Sequence, residues 1–298
     1  MKTLRATIFL FFIFLQLGFS ETIVDSTGNT IALSTPPSRI ITLAPSLSEL
    51  AADLLDDDIG KIIGVSEHTD YPPVLKNVPS VGSYVRFNLE KIVHLKPDLV
   101  IATKDGNPKD RVLHLREMGI PVLVVSTKNI SEIFQSIKMI SRALAVADRG
   151  DALIRRLKRG IDKIKKRNLD KINKSKKKVL LQIGDAPLVV VGNESFLHDA
   201  LEIVGAENIY KDLDSRYPRP SLEDVFSRNP EVVIVLSMSD VKDSITKMAL
   251  KWISYKTIAA VKNKRVHILR ADSLLRPSMR LLEGLSLLEK TIYSTEEM

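Results

Sequence analysis

"NLEKIVHLKPDLVIA", Asn88 to Ala102, reads as one short helix running into one buried strand. Asn88 is a good N-cap type, Leu89-Glu90 opens the helical turn, Pro97 closes it, and Leu99 to Ala102 is an unbroken apolar run. The chain repeats the unit. "SLEDVFSRNPEVVIVL", Ser221 to Leu236, has a polar cap, Leu-Glu, Pro and an apolar run in the same order. Leu89 and Leu222 are 133 residues apart, and so are Pro97 and Pro230. A constant offset across the whole unit predicts two copies of one α/β lobe rather than a solenoid of many repeats.

The elements on either side fit that reading. In the first half, Glu21 to Leu33 reads as a hairpin about Ser-Thr-Gly-Asn. Strands follow at Arg39–Leu43, Lys61–Ser66, Leu99–Ala102 and Val122–Ser126. Between them lie a helix opened by Pro45-Ser46 and a helix near Lys109–Met118. Ser46 is read as an N-cap, with Glu49 three residues on as its capping-box partner. In the second half, strands are expected at Val179–Ile183, Glu207–Tyr210, Val232–Leu236 and Val266–Leu269. Helices are expected at Ser195–Val204, around Trp252–Ala260 and from Pro277 to Ile292. Strands alternating with helices imply mostly parallel sheets with helical crossovers.

Between the halves, Ser131 to Asn173 is helical in pattern, with a break expected near Asp148-Arg149-Gly150. Ile154, Leu157, Ile161 and Ile164 form a single apolar stripe on an otherwise charged helix. Such a helix suits a rigid connector, since a flexible linker would be rich in Gly, Ser or Pro. The expected organisation is a signal peptide over 1–20, an N-terminal lobe over 21–145, a connecting helix over 146–175 and a C-terminal lobe over 176–298. The fold class is α/β, two similar lobes with mostly parallel sheets joined by one long helix, with a ligand cleft between them.

The signal peptide rests on Lys2 and Arg5, the apolar run from Ile8 to Leu17, and the small residues Gly18 and Ser20 before Glu21. An exported protein in the periplasm, without a membrane span, is the consequence. The chain has no cysteine, so it carries no disulfide and no lipid on an N-terminal Cys. Hydrophobic residues at 44% and charged residues at 27% are enough for a full core and argue against wholesale disorder. The formal charge of +8 is unevenly spread: Arg155 to Lys178 holds thirteen Lys or Arg against Asp162 and Asp170. Neither aromatics nor base-reading groups are interleaved there, so nucleic acid is not an expected partner. A solvated helix face and attraction to anionic lipid headgroups both remain open for this segment.

No phosphate loop, dinucleotide fingerprint, zinc-protease helix or nucleophile elbow occurs, and cysteine chemistry is excluded by composition. The five histidines are scattered, and none are paired at metal-ligand spacing on one helix. His68 alone lies in an aromatic loop, from which it could reach a ligand or a metal. An enzyme is therefore not expected, nor a resident cofactor. Loops at the carboxyl ends of strands remain as the place for function, because open α/β sheets bind ligands there. Tyr71, Tyr84 and Phe87 come from one such loop and Tyr217 from its counterpart. Arg86, Lys104, Asp272, Arg276 and Arg280 supply polar groups. Each tyrosine alone could equally be a core or turn residue.

"RIITLAPSLSELAADL", "TDYPPVLKNVPSVGSYVRFNLEKIVHLKPDLVIA", "AENIYKD" and "ADSLLRPSMRLLE" resemble the periplasmic binding proteins of ABC importers whose two lobes share one long helix. Within that class they most resemble the cobalamin binders. The resemblance implies that Tyr71 stacks on the corrin, that Tyr84 and Tyr217 face it from the two lobes, and that Lys104 lines the cleft. It also implies that Asp272 and Arg276 contact the amide periphery. Tyr84 and Tyr217 stand where tryptophan is common in the class; a tyrosine can also ligate haem iron, which makes haem or a ferric siderophore the alternative cargo. The resemblance further gives Glu90 and Glu223 a role, docking onto basic pockets of two permease subunits in the inner membrane. The plainer account is that an acid in the first helical turn favours the helix dipole by about 0.3–1 kcal/mol. A monomer is expected.

Overall fold

The computed structural model describes residues 20–174, 176–237 and 242–293. Residues 1–19 of the expected signal peptide lie outside the described residues. The chain opens with an antiparallel hairpin, β1 (Glu21–Val24) and β2 (Thr30–Leu33). The Asp25 carboxylate shapes its turn by accepting from the Thr27 and Asn29 amides at 2.8 and 3.1 Å.

The first lobe then runs β3 (Ile40–Thr42), α1 (Pro45–Leu55), β4 (Ile62–Val65), a small ribbon of β5 (Gly82–Ser83) and β6 (Arg86–Phe87), α2 (Leu89–His94), β7 (Leu99–Thr103), α3 (Lys109–Glu117), β8 (Val122–Val125) and α4 (Ile130–Ala143). Helix α5 (Ala147–Arg167) and the short α6 (Leu169–Lys174) lead to the second lobe. That lobe runs β9 (Lys177–Gly184), β10 (Val189–Val190), α7 (Phe196–Ile203), β11 (Ala206–Asn208), α8 (Leu222–Arg228), β12 (Val232–Ser237), α9 (Lys242–Ile253), α10 (Ala259–Lys262), β13 (Val266–Arg270), α11 (Asp272–Leu275) and α12 (Leu281–Tyr293).

The duplication is visible in the topology. The first sheet has the order β4-β3-β7-β8, all parallel. The second repeats it as β11-β9-β12-β13, also parallel, with β10 added antiparallel to the end of β9. The repeated helix is built alike in both copies. The Asn88 side chain accepts from the Lys91 amide at 2.9 Å, and the Ser221 hydroxyl accepts from the Asp224 amide at 3.2 Å. After each helix one residue turns left-handed just before the proline, Lys96 at φ 46° and Asn229 at φ 45°.

Every residue of β7 and β12 is buried, as expected of strands covered on both faces. Alternate residues feed different layers. On one face, Ile41, Val100 and Val122 pack with Phe87 and Ile92 under α2 and α3. The equivalent face of the second sheet packs Leu180, Val233 and Val235 with Val225, Trp252 and Ile258. The opposite faces of both sheets join one continuous apolar cluster that runs through α1, α4, α5, α7 and α12. The α5 stripe of Leu157, Ile161 and Ile164 is buried in it, so the connecting helix is part of a core common to both lobes.

Three expectations need correction. The helical break falls at Leu144–Val146, where Ala145 has φ 58°, and not at Asp148-Arg149-Gly150. Gly150 is inside α5, and its missing side chain lets the helix lie on α4: a Cβ there would stand 2.1 Å from Ser141 Oγ. The helix expected over Trp252–Ala260 is instead the end of α9, a turn, and the start of α10. Ile245, Ala249 and Trp252 are the buried i, i+4, i+7 face that marks α9. Finally, Ser46 is not an N-cap. Ala44 holds that position without a side-chain hydrogen bond, Pro45 starts the helix, and Glu49 is buried and engaged elsewhere. Among the described residues no helix is long and apolar enough to cross a membrane.

Candidate functional site

Parallel strands leave their carboxyl ends, and the amino ends of the following helices, on one edge of each sheet. Here the two edges face each other and enclose a cleft of about 540 Å³. The walls differ in character. The first lobe contributes mostly polar groups, among them Ser46 at the start of α1, Thr103 at the end of β7, and Asp105, Thr127 and Tyr84. The second contributes mostly apolar ones, including Ile183, Phe196, Leu236 and Met248. Tyr84 and Tyr217 both line the cleft, one from each lobe, and both remain open to solvent at 43% and 39% exposure.

Tyr84 is held from behind. The Asn107 side-chain amide donates to the Tyr84 carbonyl at 2.6 Å and to the Leu43 carbonyl at 3.0 Å. Its oxygen accepts from the Thr103 amide at 2.7 Å, so one buried asparagine ties the ends of two strands to the tyrosine loop. Gly106 leaves room for the ring: a Cβ at this position would stand 2.4 Å from Tyr84 Cε2. On the opposite wall, burial among the cleft residues raises the Tyr217 phenol above its ordinary pKa, so it is a neutral hydroxyl at physiological pH.

Beside the two rings an ion pair joins the lobes. Arg216 Nη1 lies 2.7 Å from Asp105 Oδ1, while Asp105 Oδ2 accepts from the Thr127 amide at 2.6 Å and its hydroxyl at 3.0 Å. Two further ties lie outside the cleft. Lys128 Nζ is 2.7 Å from Glu194 Oε1, and the Asp199 carboxylate of α7 accepts from the Ile130 amide at the amino end of α4 at 2.8 Å. That last contact places an anion on a helix amino terminus across the lobe boundary, where the dipole favours it.

A second set of bonds across the lobes centres on Arg276, 5% exposed, which follows α11. It donates to Glu49 Oε1 at 3.1 Å, to Asp70, and to the His68 carbonyl at 3.2 Å, all in the first lobe. Asp272 Oδ2 stands 3.9 Å away. Glu49 also accepts from the Ser278 hydroxyl at 2.7 Å and from Arg280 at 3.5 Å. Burial pushes the Glu49 carboxyl above its ordinary pKa, against the pull of Ser278, Arg276 and Arg280. Arg276 touches the cleft wall, but both of its terminal nitrogens bond to the first lobe.

The remaining expected residues are dispersed. Tyr71 is 40% exposed outside the cleft lining, with the Arg280 guanidinium 4.3 Å from its ring centroid. Lys104 is exposed and also outside the lining, and Asp272 is buried beside Arg276. His68 is exposed, and among the described residues no group of three or more His, Cys, Asp or Glu is placed to hold a metal. Glu90 and Glu223 are exposed in the first turns of α2 and α8. Those turns sit at the carboxyl edges of the sheets, the end that carries the cleft. A bond to its own amide and one from Ser221 hold the Glu223 carboxyl below the usual range. Asp105, Arg216 and Asn107 were not anticipated. Two of them adjoin the expected Lys104 and Tyr217, so the loops were legible but the residue within each was not.

A family profile described as periplasmic binding protein matches residues 40–273. The vitamin B12-binding protein of Vibrio campbellii is 30% identical over 253 residues, covering 84% of this chain and 88% of that relative. Among solved structures, the periplasmic vitamin B12 binding protein of Vibrio cholerae superposes with a TM-score of 0.71 at 28% identity, over 87% of this chain and 99% of the other. A possible iron-binding (periplasmic solute-binding) protein from Staphylococcus epidermidis superposes with a TM-score of 0.73, also at 28% identity, over 87% and 100%.

Proposed function

The chain belongs to the periplasmic binding protein family, and from that premise we propose that it captures cobalamin or a related corrinoid and delivers it to an ABC importer. The observation that carries the reading is the pair of phenol rings, Tyr84 and Tyr217, set on opposite lobes of a cleft with one polar and one apolar wall. A wide, flat ring system with an amide edge matches such walls. Each aromatic side chain buries a large area while freezing few rotamers. An intact cobalamin is too bulky for 540 Å³ to enclose, so part of it projects from the mouth. The kinship with vitamin B12-binding proteins supports the same cargo.

Tyr84 and Tyr217 are the stacking groups in this reading, with Asp105, Arg216 and the threonines of the first lobe available to polar substituents. Tyr71 and Lys104, outside the lining, reach only a part of the ligand that projects. Asp272 and Arg276 act through position, by fixing the lobes, in place of the direct amide contacts expected for them. Glu90 and Glu223 are the docking acids, one per lobe, for two basic pockets of the permease. The working form in this reading is a periplasmic monomer, with ATP hydrolysed by other subunits.

A second reading is haem or a ferric siderophore, favoured by two phenol oxygens able to ligate iron and by the likeness to the possible iron-binding protein. The test is the visible spectrum of the purified protein after incubation with cyanocobalamin, cobinamide or haem and dialysis. Retained corrin absorption at one equivalent supports the first reading. Retention of haem alone moves the cargo to the second, and retention of none refutes both the corrinoid and the haem assignment.

A further inference from the structure

The outward edge of α5 carries an excess of positive charge, with Asp151 and Asp162 the only acids beside it on that face of the helix. Arg155, Arg159, Lys163 and Lys166 fall at i, i+4, i+8 and i+11, so they form one ridge opposite the buried stripe of Gly150, Leu157, Ile161 and Ile164. All four are exposed, and among the described residues none has a hydrogen bond or ion pair. Three other basic residues of α5 are engaged. Arg149 donates to the Leu54 and Leu55 carbonyls at 3.1 and 2.7 Å, Lys158 sits 5.4 Å from the Phe134 ring centroid, and Arg167 pairs with Glu289.

Like charges four residues apart weaken a helix, whereas alternating signs support it. Asp162 lies among the four, three residues after Arg159 and four before Lys166, but makes no ion pair with either among the described residues, so the ridge keeps a net charge of +3. We propose that this ridge is a contact surface for a membrane bearing anionic phospholipid. From Arg155 to Lys166 the ridge runs about 16 Å along a straight helix, a line that a plane of headgroup phosphates can meet at every point. No aromatic side chain stands within it to stack on bases, as single-stranded nucleic acid would require. Attraction to an anionic leaflet is felt within about a Debye length, roughly 8–10 Å, so the charges act only where the chain already lies close to the surface.

Contact through the ridge leaves the binding apparatus free. None of the four residues lines the cleft. Helix α5 starts where Arg149 caps the carboxyl end of α1, whereas Pro45 and Ser46 at the amino end of α1 line the cleft.

Co-sedimentation of the mature chain with vesicles tests the proposal. Vesicles of one-third phosphatidylglycerol in phosphatidylcholine should retain the wild type, and pure phosphatidylcholine should not. Added salt should release it. Combining Arg155→Gln, Arg159→Gln, Lys163→Gln and Lys166→Gln should weaken retention by about fivefold per cation, so at least about a hundredfold in all. A control with Lys76→Gln, Lys109→Gln, Lys256→Gln and Lys262→Gln, equal in charge and also exposed, should bind like the wild type. Circular dichroism verifies that both variants are folded. The proposal is overturned if the wild type ignores anionic vesicles, if the ridge variant binds unchanged, or if the control loses as much. It is also overturned if random duplex DNA competes as strongly as the lipid at equal ionic strength.

Discussion

Replacing Arg276 by methionine distinguishes a residue that joins the lobes from one that holds cargo. Methionine keeps most of the length and removes the charge. Glu49, with a side chain 1% exposed, loses the guanidinium at 3.1 Å and keeps the Ser278 hydroxyl at 2.7 Å and Arg280 at 3.5 Å. Removing one member of a buried ion pair costs about 3–5 kcal/mol. The surviving donors, and the ease with which the half-exposed Asp70 rehydrates, put the expectation near the lower end, about 3 kcal/mol. At about 2–4 °C per kcal/mol for a chain of this size, Tm falls by about 6–12 °C. The loss also has a sign with pH. Burial already raises the Glu49 pKa above 4.5, and removal of Arg276 raises it further. The folded variant then keeps a proton that the unfolded chain releases near 4.5, so stability drops as pH rises through the folded-state value and recovers as pH falls toward 4.5. Thermal melts at about pH 5 and pH 7.5 should therefore show the larger deficit at neutral pH, and adding Glu49→Gln should reduce it there. If Arg276→Met melts like the wild type at both pH values but no longer binds its ligand, Arg276 is a cargo contact and the reasoning fails.

Tyr217→Ala should weaken corrinoid binding by about 1–3 kcal/mol in calorimetry, the scale of a buried aromatic. Tyr71→Ala should cost less, because its ring already lies against Arg280 and outside the cleft lining; the reverse ranking would remove Tyr217 from the site. Glu90→Ala combined with Glu223→Ala should leave ligand affinity intact yet impair transport, since truncating an interfacial charge pair typically costs about 2–5 kcal/mol. Normal uptake by that double variant would leave both acids with only their helix-terminal role. Gly150→Ala should destabilise the chain by about 1–3 kcal/mol through overpacking against Ser141, and Ser141→Gly in the same chain should recover most of it in urea melts. No loss, or no recovery, would mean that the α4–α5 contact yields easily.

The repeat at Asn88 and Ser221 was legible because caps, prolines and buried runs are local signals, and each found its expected partner in the structure. The two tyrosines of the cleft were also within reach, since aromatic residues in loops at strand ends have few other uses. The cross-lobe bonds were not. Glu49 sits three residues after Ser46, a spacing that a capping box also produces, and only the fold reveals that Arg276 and Ser278 come to meet it from 227 and 229 residues away. Lys104 and Asp105 were indistinguishable as neighbours on one loop. The backbone turn, which puts Asp105 on Thr127 and Arg216 and leaves Lys104 in solvent, decides between them. Where a helix pauses was misjudged for a similar reason, since a glycine reads as a breaker until its neighbour Ser141 shows that close packing requires it.

The bonds from Glu49 to Arg276, from Lys128 to Glu194 and from Asp199 to the head of α4 are all made by the chain's own residues across the lobe boundary. Ties of this kind restrain the lobes against large relative movement, so the distance between the acids on α2 and α8 should change little on binding. If those acids dock a permease as proposed, their spacing then tells it little about occupancy. On that reading empty copies compete with loaded ones for the same seat, and an excess of receptor over ligand slows uptake.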